Sequence, residues 1–383
     1  MWVLHKMKRK TIAICLRDMQ VGGVESVVIQ TIAALLARGD VDIRVITYTN
    51  ISVPQYRDWF AAHPDVKLTA LYPCRFLGTQ MPHFFLWRII KHVARDIYRF
   101  GKYMMMSSHR FDDVDVFIDY YNFSFARELK KFRGKKITWW HSSIDALYAG
   151  GRMRYMPMYD KLVMLTRDAA TELRTKYPEY SDKIIQIYNP IDIARARKLA
   201  VAGKYMRGDY FVCVARMTRE KDIETVLRGF DMFWQNAGRP NIKMVFVGDG
   251  DMRGEYEQIA RTLPAQRHIE FVGAAGNPFG YMSHARANIL SSYSEGLPTV
   301  LIEAAATNTL NIASDCRNGP REILMDGRAG LLFAPGDATD LALRMMDAWT
   351  RRADTEKMIA VATENLSRFD ATKITEQIMK VIK

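Results

Sequence analysis

The sequence predicts an α/β protein of two Rossmann-like, doubly wound domains. Three observations predict it. Short apolar runs alternate with helically spaced segments through roughly the first half, the same alternation restarts at Tyr210, and the breaker Asn189-Pro190 lies between the two series. A chain of 383 residues also favours two domains. The expected division is 1–200, 201–365 and a terminal helical segment 366–383, placed to pack back on the first domain.

In the first series, Thr11–Leu16 reads as a buried strand, Gly22-Gly23 as a turn, Glu25–Ala37 as a helix leaving at Arg38-Gly39, and Ile43–Thr47 as the next strand. That order is a βαβ unit of a parallel sheet. Further strands are expected at Val114–Ile118, Ile137–Trp140, Lys161–Leu165 and Ile184–Ile187. The polar, basic stretch 192–209 is read as the connection. In the second series, strands are expected at Tyr210–Val214, Lys243–Val247, His268–Val272, Ala287–Leu290 and Leu310–Ala313, with helices at Ile223–Trp234 and from Thr299 to Ala306. Helical patterns close the chain at 337–349, 354–368 and 371–382.

Composition narrows the class. The chain is 49% hydrophobic and 25% charged, an ordinary globular balance. Cys15, Cys74, Cys213 and Cys316 are far apart, with no CxxC pair, so neither zinc spacing nor a disulfide framework is expected. The basic N-terminus has no signal-peptide pattern, and no run of 18 apolar residues occurs. On these features a cytoplasmic protein is expected. The net charge of +13 suits nucleic acid, anionic membrane or phosphate-bearing ligands alike. No groove-reading module is present, which argues against nucleic acid.

The segment Glu295-Gly296-Leu297-Pro298-Thr299-Val300-Leu301-Ile302-Glu303 follows a strand and opens a helix. Gly296 permits close backbone approach, Pro298 suits a helix start, and the amides of Thr299 and Val300 can meet an anion. Glu295 precedes the helix and Glu303 lies about one turn inside it, so one acid can hold sugar hydroxyls and the other a ribose diol. Either glutamate alone reads as a solvated charge. Arg216 and Lys221 follow the first strand of the second series, where cations can neutralise a diphosphate, although a charged turn before a helix would look the same. Gly22 and Gly23 make a tight turn or let a sugar or phosphate approach the helix N-terminus. His141 ends a strand, where a neutral imidazole could hydrogen-bond a sugar, a structural histidine being the plainer reading. Gly248-Asp249-Gly250 is read as a turn on the nucleotide side rather than a metal motif.

In this order, Gly22-Gly23, Arg216 with Lys221, Gly248-Asp249-Gly250 and the Glu-x7-Glu pair resemble the retaining glycosyltransferases of family 4, which have the GT-B fold. The resemblance spans nearly the whole chain and is strongest from Tyr210 to Phe333. It implies an acceptor-binding first domain and a nucleotide-sugar-binding second domain. Arg216 and Lys221 would clamp the diphosphate and Glu303 would bind the ribose. Glu295 would contact the donor sugar, helped by the backbone of Gly296, Leu297 and Pro298. Thr299 and Val300 would offer amides to the phosphate, Gly248 would lie on the donor side, Gly22 and Gly23 would border diphosphate and acceptor, and His141 would stand near the transferring sugar. It further implies retention of the anomeric configuration, no metal or other cofactor, and bacterial relatives that build surface polysaccharide, lipopolysaccharide or lipid-linked glycans. The segment Asp315-Cys316-Arg317-Asn318-Gly319-Pro320-Arg321-Glu322-Ile323-Leu324 resembles members using UDP-hexoses or UDP-N-acetylhexosamines. Thr307-Asn308-Thr309-Leu310 departs from the family pattern, which weakens the donor assignment but not fold or reaction. A catalytically idle nucleotide-sugar-binding module of the same fold is the alternative.

Between Phe84 and Phe111 an apolar stripe (Leu86, Ile90, Val93, Ile97, Phe100) runs beside Arg88, Lys91, Arg95 and Arg99. Such a face suits an anionic bilayer surface, the pyrophosphate of a lipid-linked acceptor, or a solvated face of a helix packed on its own domain.

Overall fold

The computed structural model describes residues 9–20, 22–72, 111–202 and 209–383, together with Ile97, Phe100, Gly101 and Met104. Arg88, Lys91, Arg95 and Arg99 lie outside the described residues.

The first lobe is a seven-stranded sheet in the order β3-β2-β1-β4-β5-β6-β7. Its strands are β1 (Lys10–Leu16), β2 (Val41–Thr49), β3 (Lys67–Tyr72), β4 (Val116–Asp119), β5 (Lys135–Trp140), β6 (Lys161–Met164) and β7 (Ile184–Gln186), all paired in parallel. Ile12 to Leu16 are buried one after another, as a strand covered on both faces must be. The chain winds outward from β1 through β2 to β3, then returns to β4 on the other side of β1. The crevice outside the carboxyl ends of β1 and β4 is therefore a topological switch point.

The second lobe repeats the plan with six strands in the order β10-β9-β8-β11-β12-β13. They are β8 (Tyr210–Val214), β9 (Lys243–Val247), β10 (Ile269–Gly273), β11 (Ala287–Leu290), β12 (Leu310–Ser314) and β13 (Leu331–Phe333). Its switch point lies between β8 and β11, so the loops holding Arg216–Lys221 and Glu295–Pro298 leave adjacent strands. This architecture of two Rossmann-like sheets is the GT-B fold.

Helix Gly23–Arg38 buries Val27, Val28, Thr31, Ile32 and Leu35. It ends at Gly39, whose φ of 71° lets its N–H reach Leu36 O. The stretch 192–209, expected only as a connection, contains helix Ile193–Ala200. Asp192 caps it by accepting the Arg195 N–H at 2.8 Å, and Ile193, Ala196 and Ala200 are buried. Helix Ala371–Ile382 lies against the first lobe: Ile374, Ile378 and Ile382 share one apolar cluster with Ile32 and Leu35. Ile191 N–H donates to Phe369 O at 2.9 Å, and Lys10 Nζ donates to Ile382 O at 3.1 Å. That apolar cluster also takes in Leu297, Leu301 and Ile323 of the second lobe, so the two lobes share a core.

Candidate active site

The loop leaving β8 and the loop leaving β11 are stitched together. Ser291 Oγ donates to Lys221 O at 2.7 Å, and Tyr293 N–H donates to Glu220 O at 3.0 Å. This brings Lys221 Nζ to 2.6 Å from Glu295 Oε1, with the two side chains only 19% and 11% exposed. Glu295 leads into Pro298, the cap residue of helix Thr299–Ala306. Thr299 and Val300 occupy its first positions, where amides have no intrahelical acceptor and the helix dipole is positive.

Arg216 is placed by the Gly248-Asp249-Gly250 turn. Gly248 has φ of 140°, and a Cβ there would fall 1.9 Å from Ala215 O; one at Gly250 would fall 2.4 Å from Met217 O. Met217 N–H donates to Asp249 O at 3.0 Å, which closes the turn under Arg216. The Arg216 side chain is largely exposed, 4.0 Å from Glu220. Its charge reaches the first lobe, where it favours the ionised forms of Glu25 and Tyr121.

Two glycines close the site. A Cβ on Gly296 would stand 2.3 Å from the carbonyl oxygen of His141 and 3.2 Å from that of Ser142, so the lobes meet here backbone to backbone. Gly319, with φ of 100°, lies against the same loop: its Cβ would be 2.5 Å from Pro298 Cδ. Leu297 is buried in the shared core and anchors the loop between them.

On the first lobe, His141 N–H donates to Asn122 Oδ1 at 2.7 Å, and the imidazole packs on Tyr120 with ring centroids 4.6 Å apart. Both ring nitrogens are shielded from solvent and have no hydrogen-bond partner. Burial pushes the imidazole pKa down to about 3, so the ring is neutral near pH 7, with one nitrogen a donor and the other an acceptor. Glu303 is affected in the opposite sense: burial raises its carboxyl to about 7, with Arg195 pulling weakly the other way. At the N-terminus of helix Gly23–Arg38, Glu25 is buried and folds back beside Gly22, its own N–H and that of Gln20 favouring its carboxylate. Burial nonetheless raises its pKa. Gly23 has open space around it.

The structure thus brings Glu295, Lys221, Gly296, Leu297, Pro298 and His141 together, with Arg216 on the neighbouring loop. The sequence by itself marks no role for Glu25, Asn122 or Tyr121, nor for Arg317 and Glu322 individually. Glu25 was visible beside the glycine pair, but nothing local signals that its carboxylate turns back over the helix start. Among the described residues, no group of three or more His, Cys, Asp or Glu side chains gathers as metal ligands do.

Two Rossmann-like lobes, with a partly buried Lys–Glu pair at a helix N-terminus and a neutral histidine seated against the same loop, make up a GT-B architecture. Residues 195–365 match the family described as Glycosyl transferases group 1. Among curated relatives, an uncharacterised glycosyltransferase of Methanocaldococcus jannaschii is 33% identical over 114 residues, covering 30% of this chain and 28% of its own length. A Campylobacter jejuni enzyme named as an alpha-1,4-N-acetyl-D-galactosaminyltransferase acting on an undecaprenol-diphosphate-linked glycan is 24% identical over 206 residues, 54% of this chain and 56% of that protein. The chain therefore spans about half or less of the length of these two relatives. Anabaena HepE, solved in complex with UDP, superposes with a TM-score of 0.74 at 16% identity, covering 97% of this chain and 99% of HepE. That likeness establishes the fold.

Proposed function

We propose that the protein is a retaining glycosyltransferase that moves a hexose or N-acetylhexosamine from a UDP-sugar to a glycan or lipid-linked glycan. The observation that carries this reading is the Lys221–Glu295 pair at the start of helix Thr299–Ala306, seated through Gly296 on His141. Arg216, Lys221 and the amides of Thr299 and Val300 take up the charge of the departing diphosphate, which needs no metal ion. Glu295 and the backbone of Gly296, Leu297 and Pro298 hold the sugar, and Glu303 holds the ribose. Gly248 supports the donor side, Gly22 and Gly23 border the acceptor, and the neutral His141 hydrogen-bonds the sugar. The bond from the anomeric carbon to the diphosphate oxygen breaks, the acceptor oxygen bonds the same face, and the acceptor proton leaves on the diphosphate. UDP is favoured by the Asp315–Leu324 segment and by the nucleotide bound in HepE. A lipid-linked acceptor is favoured by the acceptor named for the Campylobacter relative.

The protein works in the cytoplasm, at the inner face of the membrane. Its described cysteines, Cys15, Cys213 and Cys316, are buried and unbridged, as suits a reducing compartment. Among the described residues no helix is long and apolar enough to cross a membrane. Ile97, Phe100 and Met104 are 66%, 64% and 51% exposed at helical spacing, and the cations Arg88, Lys91, Arg95 and Arg99 stand close by in sequence. Exposed apolar side chains within a cation-rich stretch of sequence favour peripheral attachment to anionic lipid.

A screen of UDP-, GDP- and ADP-sugars tests the reading, with stabilisation following RT ln(1 + [L]/Kd) and transfer to lipid-linked acceptors followed by mass spectrometry. Stabilisation by UDP-sugars with transfer supports it. Binding without transfer or hydrolysis would identify an idle nucleotide-sugar-binding module instead.

A further inference from the structure

The segment between β12 and β13 belongs to the second lobe, yet two of its side chains reach the first. Arg317 forms ion pairs with Asp145, in the first turn of helix Ile144–Ala149, and with Glu172, on helix Arg167–Lys176, at 2.7 Å. Glu322 accepts the Arg167 N–H at 2.9 Å and the Tyr188 hydroxyl. Between them, Gly319 presses on Pro298 and lies near Gly296, the residue seated on His141. The two bridging groups differ in exposure. The Glu322 side chain is 9% exposed, whereas Arg317 is 50%, Asp145 54% and Glu172 31% exposed. The first is a buried pivot; the second is a solvent-exposed contact that can open.

Asp145 follows His141 by four residues, just past Ser143, which caps helix Ile144–Ala149 by accepting the Ala146 N–H. Arg317 stands two residues before Gly319. The Arg317 pairs therefore tie the loop carrying His141 to the turn packed on Pro298, in parallel with the Gly296 contact.

We infer that Arg317 is a positioning residue: its pairs with Asp145 and Glu172 latch the two lobes together and hold His141 in register with the Glu295–Pro298 loop. It acts through that register and touches no reacting atom. The inference rests on the transferase reading only for its kinetic consequence. Guanidinium forks suit two carboxylates at once, which a lysine ammonium matches poorly. Exposed pairs are weak and salt-sensitive, which suits a latch that must release product.

The test uses the full chain and its Arg317→Ala, Arg317→Lys, Asp145→Ala and Arg317→Ala/Asp145→Ala variants. Small-angle X-ray scattering without substrate reads lobe separation independently of any donor or acceptor. Arg317→Ala is expected to increase the radius of gyration in low salt, and wild type is expected to approach that value in about 0.5 M NaCl. Thermal unfolding should stay close to wild type. With the donor and acceptor that the screen identifies, kcat should fall about three- to tenfold in Arg317→Ala with donor KM little changed. Arg317→Lys should recover part of the loss, and the double variant should lose no more than the worse single one. An unchanged radius of gyration in Arg317→Ala at low salt overturns the latch, whatever the protein transfers. Additive kinetic losses in the double variant overturn the coupling to Asp145. A changed radius of gyration with no transfer by wild type leaves the latch standing and removes the transferase reading.

Discussion

Lys221 Nζ lies 2.6 Å from Glu295 Oε1, and both side chains are largely withdrawn from water. One comes from the loop after β8 and the other from the loop after β11, adjacent strands at the switch point of the second sheet. The pair is therefore a product of topology, joining the cation and the acid that the proposed reaction assigns to the diphosphate and the sugar.

Removing one member strands the other. Lys221→Ala leaves a carboxylate that is only 11% exposed without its partner, and breaking such a pair is costly. The expected loss of stability is about 1–3 kcal/mol, discounted for residual exposure. Adding Glu295→Gln in the Lys221→Ala background should restore part of it. Urea unfolding of the two single variants and the double variant reads this directly, and simple additivity would show that the pair is not coupled. Both single variants should also lose transfer, Lys221→Ala by about two to three orders of magnitude in kcat/KM.

Gly296→Ala is predicted to separate the lobes rather than unfold them. Its Cβ would fall 2.3 Å from a backbone carbonyl, which cannot swing aside as a side chain can. Transfer is expected to drop by about a hundredfold, the cost of a displacement near 1 Å between reacting groups. Gly254→Ala is the control: it lies in helix Arg253–Thr262 with nothing within 4 Å, and should raise stability by roughly 0.5–1 kcal/mol without touching transfer. Equal activity in Gly296→Ala and wild type would mean the lobes do not meet there during catalysis.

Much of the architecture was legible because buried parallel strands write themselves as continuous apolar runs, as Ile12 to Leu16 and Tyr210 to Val214 do. Strands β3 and β13 were not. The first, Lys67–Tyr72, is polar at its start and lies at a sheet edge; the second is three residues long. Helix Ile193–Ala200 hid behind its own arginines and lysine, since only Ile193, Ala196 and Ala200 carry the buried face. In the site, the residue types near Glu295 and Arg216 could be read from order and spacing. Their partners could not. The seat of Gly296 on His141 and the reach of Arg317 to Asp145 join segments remote in sequence, and no local pattern reports a contact that only the packing of two lobes creates.

Two titratable groups shifted by desolvation should impose opposite pH dependences on stability, and substitutions should separate them. For Glu303 the folded pKa, about 7, lies above the 4.5 of an unperturbed glutamate. Between those values the unfolded chain has lost a proton that the folded chain keeps, so stability falls as pH rises through this window, by up to about 3 kcal/mol in total. For His141 the folded pKa, about 3, lies below 6.5. Between those values the unfolded chain binds a proton that the folded chain refuses, so stability rises with pH by up to about 1.4 kcal/mol per unit. From pH 4.5 to 6.5 the two slopes oppose each other, and their contributions to the wild-type profile should largely cancel. Glu303→Gln should then gain stability steeply with pH across that interval, while His141→Asn should lose it. Urea unfolding at half-unit steps of pH checks both. Parallel profiles in the wild type and both variants would show that neither group is buried in the state proposed, and with that the neutral imidazole offered to the sugar would have to be given up.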